Sequence, residues 1–185
     1  DKMTDFSGEK FIERIIDMGH ESVIEHAIIT VKFVCDRGIS HELVRHRLCS
    51  FSQESTRYCN YAQNKSNNEL TFIRPMFWAE DSEAYNIWCL TMLEAENNYM
   101  KLLNIGVSPQ EARSVLPNSL KTEIVMTANL REWRTIFKQR CTRAAHPQMR
   151  QVMLPLLRHF LNEYFVFFED LFNLHLKGSQ DLAAK

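Results

Sequence analysis

The last third of the chain carries a long apolar stripe, and this stripe constrains the fold more than any other feature. From Val152 to Phe168, apolar side chains recur every three or four residues, which is the period of one helix face. Pro147 suits the first turn of this helix, and Pro155 inside it predicts a kink or a split. So broad a stripe predicts a core helix, part of which packs against another subunit. The residues beyond it, 176–185, predict a frayed tail.

Other helices and strands alternate along the chain. Apolar spacing predicts a helix that ends at Gly19, a helix from Ser82 to about Ile105, and a helix that Asn129 caps. Three segments alternate apolar and polar residues at the period of a strand: 27–35, 70–74 and 119–128. Only five glycines and five prolines occur, which argues against a turn-rich all-β fold. We predict a single α+β domain over residues 1–185, with a small, mainly antiparallel sheet and several long helices.

The chain between the first two predicted strands is polar. Asp36-Arg37-Gly38 indicates a turn, after which Ser40 caps a short helix that carries the triplet Arg45-His46-Arg47. Residues 50–68 predict an ordered loop with a variable tip around Asn64–Asn68.

Composition excludes several classes of protein. Lys and Arg total 22 against 23 Asp and Glu, so no global positive field draws the chain to nucleic acid. No apolar run is long enough to cross a membrane, and no secretory or lipidation signal is present. The five cysteines form no C-x-x-C pair and fit neither a disulfide framework nor a zinc ribbon: Cys35, Cys49, Cys59, Cys89 and Cys141. We predict reduced thiols in a cytoplasmic protein.

Residues 45–58 hold the densest polar chemistry in the chain. Three guanidiniums, an imidazole, three serine hydroxyls and an amide fall within these fourteen residues. Arginine presents a planar fork of donors that matches phosphate and carboxylate oxygens, so the segment predicts a site for a phosphorylated ligand. Arg45 and Arg47 are two apart on the predicted helix, hence about 200° apart around its axis, and are expected to serve different ligands or subunits.

Metal and nucleophile chemistry find less support in the sequence. His41 and His46 resemble the zinc motif H-E-x-x-H, but histidines five apart lie about 140° apart around a helix and cannot share a metal. We therefore predict no metal site. Ser55 lacks the flanking glycines of a nucleophile elbow. Cys49 is either a thiol activated by Arg47 or an incidental small residue.

The basic segment resembles the signature of the flavin-dependent thymidylate synthases, which is Arg-His-Arg, seven residues and then Ser. The match falls at Arg45, His46, Arg47 and Ser55. Three further segments are similar to that family and follow in its order: Gly19–Ser22 with Glu25-His26, Glu111–Pro117, and Asn129–Arg131 with Arg140 and His146–Gln148. Four ordered blocks over roughly residues 19–150 make chance agreement a poor explanation.

The resemblance implies which residues bind each ligand. FAD would contact a set spread along the chain: Ser22, Arg45, His46, Arg47, Gln53, Asn129, Leu130, Arg131, Thr135 and His146. Deoxyuridine monophosphate (dUMP) would contact a second, overlapping set: Glu42, Arg45, Gln53, Glu54, Ser55, Thr56, Arg57, Arg113 and Arg140.

Two residues would take part in the chemistry. The resemblance places Arg140 against the pyrimidine, where a fixed cation favours the N3-deprotonated form that is richer in electrons at C5. It associates His20 with the folate and nicotinamide side of the flavin. A histidine after a helix-ending glycine is also a common C-terminal cap partner, so both interpretations of His20 stay open.

The chain departs from the family pattern at three places. His41-Glu42 stands where Arg-Gln is common, and an ionised Glu42 accepts but does not donate hydrogen bonds to a uracil. Thr135 stands where some members have asparagine. Members also carry a further strand and loop ahead of the segment that begins this sequence, so we expect an N-terminal segment with one flavin-binding part to be missing.

The implied reaction is the reductive methylation of dUMP to thymidylate (dTMP). 5,10-Methylenetetrahydrofolate would give the carbon and NADPH the hydride, through FAD, in a homotetramer whose sites draw on several subunits, with no nucleic acid or membrane partner. The alternative is a non-catalytic nucleotide- or RNA-binding module that uses the arginine patch. Such a module binds polyanions with a steep salt dependence and without flavin. The near-neutral charge and the scarcity of stacking aromatics besides Phe51 and Tyr58 disfavour it.

Overall fold

Two long strands that are far apart in sequence make the main pairing of the sheet. The computed structural model describes residues 5–57 and 69–175. Its sheet has the order β1-β3-β2, with β1 at Ile28–Asp36, β2 at Ser50–Gln53 and β3 at Lys121–Asn129. The N–H of Leu130 donates to the carbonyl of Ala27 (2.9 Å) and the N–H of Arg37 to that of Leu120 (3.1 Å), which fixes an antiparallel register for β1 and β3.

The strand predictions are confirmed for β1 and β3 and wrong elsewhere. In β3 every second residue is buried, as a strand with one covered face requires. The predicted strand at 70–74 is wrong, because only one isolated bridge joins Phe72 to Leu120 and Pro75 lacks the N–H to continue the pairing. Conversely, β2 lies inside the segment that the sequence predicted as loop. The predicted loop tip at Asn64–Asn68 and the predicted tail at 176–185 lie outside the described residues.

The other regular elements of the described structure are helices. Helices together with a small sheet confirm the predicted α+β class. The α-helices are α1 (Asp5–Asp17), α2 (Arg37–Leu43), α3 (Glu83–Asn104), α4 (Pro109–Ala112), α5 (Leu130–Arg140) and α6 (Pro147–His175). Two 3-10 helices span Glu21–His26 and Arg113–Val115. No helix in the described part of the chain combines the length and apolar character of a membrane span.

The helix that follows β1 begins earlier than the sequence predicted. The Asp36 carboxylate accepts a hydrogen bond from the N–H of Ile39 (2.7 Å), so Asp36 and not Ser40 is the N-cap. The helix ends at Leu43, and the triplet Arg45-His46-Arg47 lies in the turns beyond it. The expectation that two arginines diverge by a helical angle is therefore wrong, because neither is on a helix.

The break in α6 falls at a different residue from the one predicted. The helix continues through Pro155, which is exposed. The backbone leaves helical geometry at Tyr164, with φ −137° and ψ 42°. The predicted kink at Pro155 is therefore wrong in position. The ring of Tyr164 packs edge-on against Phe160 at a centroid distance of 5.8 Å.

The chain divides into two compact units. The first unit comprises residues 1–30 and 127–185, and the second comprises residues 31–126. The single domain over residues 1–185 stays a prediction.

Aromatic rings of α5 and α6 form the core of the first unit. Trp133 and Phe137 contact Phe160 and Phe168 with centroid distances of 5.2–5.8 Å, and all four rings are buried. Tilted and edge-to-face ring pairs of this kind contribute about 0.5–1.5 kcal/mol each beyond the area that they bury.

One arginine is buried within the first unit. Arg134 is 2% exposed and donates from Nη1 and Nη2 to the two carboxylate oxygens of Asp170, at 2.8 Å each. Its Nε donates to Glu21 at 3.1 Å. Burial opposes the charge, but Asp170 and Glu21 outweigh it and raise the pKa of Arg134 above its ordinary value. Because a buried guanidinium is tolerated only when its donors are paired, these contacts hold α5 against α6 and against the 3-10 helix Glu21–His26.

The second unit has its own buried cluster, which consists of Leu70, Tyr99, Ala112 and Leu120. The end of α3 packs onto this cluster through a left-handed turn. Gly106 has φ +89°, and its N–H donates to the carbonyl of Leu103 (3.0 Å), while the N–H of Val107 donates to that of Leu102 (3.0 Å). Leu102 and Val107 both pack against the cluster, as a Schellman ending requires.

We expect Gly106→Ala to lower the free energy of unfolding by about 1–2 kcal/mol, because a Cβ in the left-handed region strains the backbone. Urea denaturation measures this change. The matched control is Gly8→Ala inside α1, where an added Cβ meets no atom within 4 Å. That variant should gain about 0.5–1 kcal/mol. Equal shifts in the two variants would contradict the role of Gly106 in ending α3.

Candidate functional site

A polar groove of about 670 Å³ opens in the second unit. Two segments that the sequence assigned to the nucleotide meet in it, although they are 57 residues apart: Nη1 of Arg113 donates to the hydroxyl of Thr56 at 3.3 Å. Thr56 is buried, whereas Arg113 is exposed at the start of the 3-10 helix Arg113–Val115. A guanidinium has five N–H donors, so this contact leaves most of the Arg113 donors available to an anion.

The groove also contains two cationic or titratable side chains that the sequence analysis missed. Arg37 and His41 both line it, and they lie four apart on α2, hence on one face of that helix. Nη1 of Arg37 is 3.4 Å from the hydroxyl of Thr122. The signal that could have found this pair is the Asp36 cap, because a helix that starts at Arg37 places His41 one turn later.

The side chain of Gln53, a residue that the resemblance assigned to both ligands, is hydrogen-bonded to other residues of the protein. Its Nε2 donates to the hydroxyl of Ser40 (2.9 Å) and to that of Thr122 (3.2 Å). The Ser40 hydroxyl in turn donates to the carbonyl of Arg37 (3.0 Å). This network fixes the end of β2 relative to α2.

Glu54 lies beside a group of alternating charges on the sheet. Nζ of Lys121 is 3.8 Å from the Glu54 carboxylate and 2.7 Å from that of Glu123, which also pairs with Lys32 at 2.6 Å. Hydrogen bonds from Lys121 and Lys32 lower the pKa of Glu123 to about 2. Glu123 therefore stays ionised, and the two lysines are largely neutralised by carboxylates of the chain itself.

The signature segment presents its arginines to solvent. Arg45 and Arg47 are exposed, and the side chain of neither makes a hydrogen bond or an ion pair with a residue in the described ranges 5–57 and 69–175. His46 between them is buried, at 6% exposure, and its carbonyl accepts the N–H of Cys49 (3.1 Å). Glu42 is half-buried in the last turn of α2.

Ser55 and Arg57 follow in a tight turn. The hydroxyl of Ser55 accepts the backbone N–H of Arg57 at 3.3 Å. Ser55 is half-buried and Arg57 is exposed, so these two residues, both predicted to contact dUMP, lie at different depths.

In the first unit, four predicted flavin residues come together at the start of α5. The Asn129 side chain caps the helix by accepting the N–H of Glu132 (2.8 Å). Leu130 is buried, and the hydroxyl of Thr135 donates to the carbonyl of Arg131 (3.2 Å). Arg131 itself pairs with Glu25, which raises its pKa above the ordinary value.

His20 and Ser22 lie at the start of the adjoining 3-10 helix. Gly19, with φ +73°, ends α1, and the N–H of His20 donates to the carbonyl of Ile15 (2.9 Å). The backbone of His20 thus completes the helix ending, while its side chain is exposed and makes no cap hydrogen bond. Ser22 is exposed as well.

The C-terminal end of α5 carries the remaining predicted residues. Arg140 is the last residue of the helix and is half-buried. Beyond it, Nδ1 of His146 accepts the N–H of Gln148 at 3.3 Å, which leaves Nε2 as the ring nitrogen that carries a proton in the neutral form.

Comparison with known proteins identifies the family of the chain. A sequence model of the family described as thymidylate synthase complementing protein matches residues 1–164. The chain belongs to this family. The match includes every site residue that the sequence predicted, from His20 to His146, and confirms the resemblance drawn from the four motifs.

Individual members of the family are similar over most of the chain. A flavin-dependent thymidylate synthase of Pyrococcus furiosus is 39% identical over 150 residues, which cover 80% of this chain and 61% of that protein. A flavin-dependent thymidylate synthase of Pyrococcus abyssi is 35% identical over 158 residues, which cover 85% of this chain and 64% of that protein. A flavin-dependent thymidylate synthase of Corynebacterium aurimucosum is 31% identical over 194 residues, which cover 96% of this chain and 76% of that protein. The chain thus spans less than two thirds of the length of the first two relatives.

Two cysteines are buried in the described part of the chain. The four cysteines in the described ranges are free thiols, and Cys35 and Cys141 are buried. Burial raises the pKa of each of these two thiols to about 12, with Asp36 adding to the effect at Cys35. Cys141 directly follows Arg140, but as a buried, protonated thiol it is unsuited to act as a nucleophile.

We expect Cys35 and Cys141 to react slowly with a thiol reagent at pH 8, because a pKa raised from 9.0 to about 12 leaves about a thousandfold less thiolate. Cys89, which is half-buried, serves as the internal control, and Cys49 has the same degree of exposure. Peptide mapping by mass spectrometry after timed labelling gives each rate. Labelling of Cys141 at the rate of Cys89 would show that its burial is wrong.

Proposed function

We propose that this chain is a flavin-dependent thymidylate synthase that converts dUMP to dTMP. In this reaction 5,10-methylenetetrahydrofolate is the carbon donor and NADPH the reductant, with FAD as cofactor. The relatives that share its family carry this activity in their names. The single observation that carries the proposal is the contact of Arg113 with Thr56 in the groove of the second unit.

The groove offers dUMP a phosphate site. Arg113 keeps most of its donors, and Arg37 and His41 add cationic or proton-donating groups to the same groove. A charge-assisted hydrogen bond from either guanidinium to the phosphate would contribute about 1.5–3 kcal/mol to binding. The backbone turn at Ser55 and Arg57 would add hydroxyl and guanidinium donors from the neighbouring segment.

The donor set also fits FAD, which presents a doubly charged pyrophosphate and a flat ring. Arg45 and Arg47 are exposed guanidiniums without an acidic partner among the described residues, as pyrophosphate binding requires. Asn129 uses its side-chain oxygen in the helix cap and so keeps its NH₂ group as a donor. Arg131, Ser22 and Thr135 would supply further contacts from the first unit.

Hydride transfer is the chemistry that FAD supplies when it is bound. The side chains of the protein would orient the ligands and polarise the pyrimidine of dUMP. Arg140 would lie against the pyrimidine, where its charge favours loss of the N3 proton and raises electron density at C5. His20, whose side chain is exposed, would border the folate and nicotinamide side of the flavin.

The proposal includes a homotetramer whose sites draw on more than one subunit. Exposed apolar side chains support it: Ile87, Leu90 and Leu93 on α3, and Phe165, Phe172 and Leu174 on α6. Apolar surface of this kind marks places where a second copy packs.

A visible absorption spectrum tests the cofactor, and a coupled assay tests the reaction. We expect the purified chain to show flavin bands, or to gain them on addition of FAD, and to form dTMP from dUMP only when methylenetetrahydrofolate and NADPH are both present. Absence of bands together with absence of dTMP would refute the proposal. Binding of RNA that weakens steeply with salt, without flavin, would instead support the nucleotide- or RNA-binding module.

We expect Arg113→Met to raise the dissociation constant for dUMP by about tenfold or more, because it removes a guanidinium from the phosphate site. The measurement is calorimetric titration of the FAD-loaded protein with dUMP. Arg158→Met removes an equally long, exposed cation from α6, outside every predicted ligand set, and is the matched control. Equal dUMP affinity in the two variants would remove Arg113 from the site.

A further inference from the structure

Three cations of α5 converge on one carboxylate in the first unit. Arg131, Arg134 and Lys138 follow the spacing i, i+3 and i+7 and therefore share one face of the helix. Oε1 of Glu21 is 3.1 Å from Nε of Arg134 and 3.6 Å from Nζ of Lys138. Oε2 of the same side chain is 3.7 Å from Nε of Arg131. One carboxylate oxygen of Glu21 thus contacts Arg134 and Lys138, and the other contacts Arg131.

Glu21 is the better shielded of the two carboxylates that Arg131 contacts. Its side chain is 19% exposed, whereas that of Glu25 is 40% exposed. Exposed ion pairs contribute about 0–1 kcal/mol and hold a side chain only loosely. Glu21 in addition accepts a hydrogen bond from Nε of the buried Arg134 at 3.1 Å. Arg131 therefore rests against a carboxylate that the fold itself holds in place.

The place of Glu21 in the chain joins two segments of the predicted flavin site. It stands between His20 and Ser22 at the start of the 3-10 helix, and its partner Arg131 stands in the first turn of α5. Any movement of Glu21 away from α5 would shift both flanking residues and release Nε of Arg131.

Arg131 keeps donors for a ligand while it is held. Its Nη1 donates to Glu25, whereas its Nε lies 3.7 Å from Glu21, an ion pair that is too long for a hydrogen bond, so one of its five N–H groups is engaged. No residue in the described ranges accepts a hydrogen bond from Nη2. The ion pair with Glu21 and the hydrogen bond to Glu25 therefore leave donors of Arg131 for phosphate oxygens.

We propose that Glu21 is a positioning residue for the flavin, which acts through Arg131 and through its neighbours His20 and Ser22 without contacting the ligand itself. This inference rests on the proposed flavin-dependent function. It predicts that the negative charge of Glu21, and not only the stability that the network provides, determines the affinity for FAD.

The test compares two variants that cut the same network at different points. Glu21→Gln removes the charge next to Arg131, whereas Asp170→Asn removes the bidentate partner of Arg134 and leaves the contacts of Arg131 in place. Thermal unfolding should show that both variants are destabilised. FAD titration of the apoprotein, followed by quenching of flavin fluorescence, should show about tenfold weaker binding for Glu21→Gln. Asp170→Asn should stay within about twofold of the unaltered chain.

A double-mutant cycle separates positioning from general destabilisation. If Glu21 acts through Arg131, then Glu21→Gln in an Arg131→Met background should change FAD affinity much less than it does alone. Fully additive losses would overturn the inference. Should Glu21→Gln fold poorly, Glu21→Asp enters the same cycle, since it keeps the charge but draws it back by one methylene and should give an intermediate loss.

The outcomes also distinguish this inference from the proposed function. If the unaltered chain binds no FAD, the proposed function fails, and the inference fails with it. If the unaltered chain binds FAD and Glu21→Gln binds as tightly as Asp170→Asn, only the role of Glu21 is refuted. Weaker binding confined to Glu21→Gln, with loss of the effect when Arg131 is absent, supports both.

Discussion

The structure depends on a side-chain cap at the point where each long strand becomes a helix. Asp36 ends β1 and starts α2, and Asn129 ends β3 and starts α5, both in extended backbone conformation (φ −79° and −76°). In each case a side-chain oxygen accepts the N–H three residues later, so the helix begins without an intervening loop. The cap fixes the phase of the helix that follows. That phase places Arg37 with His41 on one helix and Arg131 near Thr135 on the other.

Several residues of the predicted ligand sets already have a structural hydrogen bond. Gln53 joins β2 to α2, Asn129 caps α5, and Thr56 accepts from Arg113. Groups that are held in this way meet a ligand with less loss of conformational freedom than free surface side chains would. The same contacts give these residues a role in the fold besides their predicted role in binding. A substitution at Gln53 would therefore act on both.

Sequence patterns predicted the parts of this fold that depend on local periodicity. The alternation of β1 and β3, the span of α3 and the cap at Asn129 are all visible in single segments, and the structure confirms them. Elements that depend on a distant partner were missed. β2 is polar and forms by pairing with β3, while the Gln53 side chain bonds Ser40 and Thr122, and no local pattern records these distant partners. In the candidate site, the family resemblance predicted Arg113 and Thr56 but not Arg37, because the turn at 36–38 concealed the helix start.

The distribution of acidic partners explains how a nearly neutral chain could bind two phosphorylated ligands. With a net charge of −1, attraction must come from cations that the chain does not neutralise itself. Arg134 is fully engaged by Asp170 and Glu21, and the lysines of the sheet are engaged by Glu123. Arg45, Arg47 and Arg113 make no ion pair with a residue of the described ranges. Carboxylates thus separate the cations that serve the fold from those that remain for the proposed ligands, and Arg131, which pairs with Glu25 and keeps further donors, would do both.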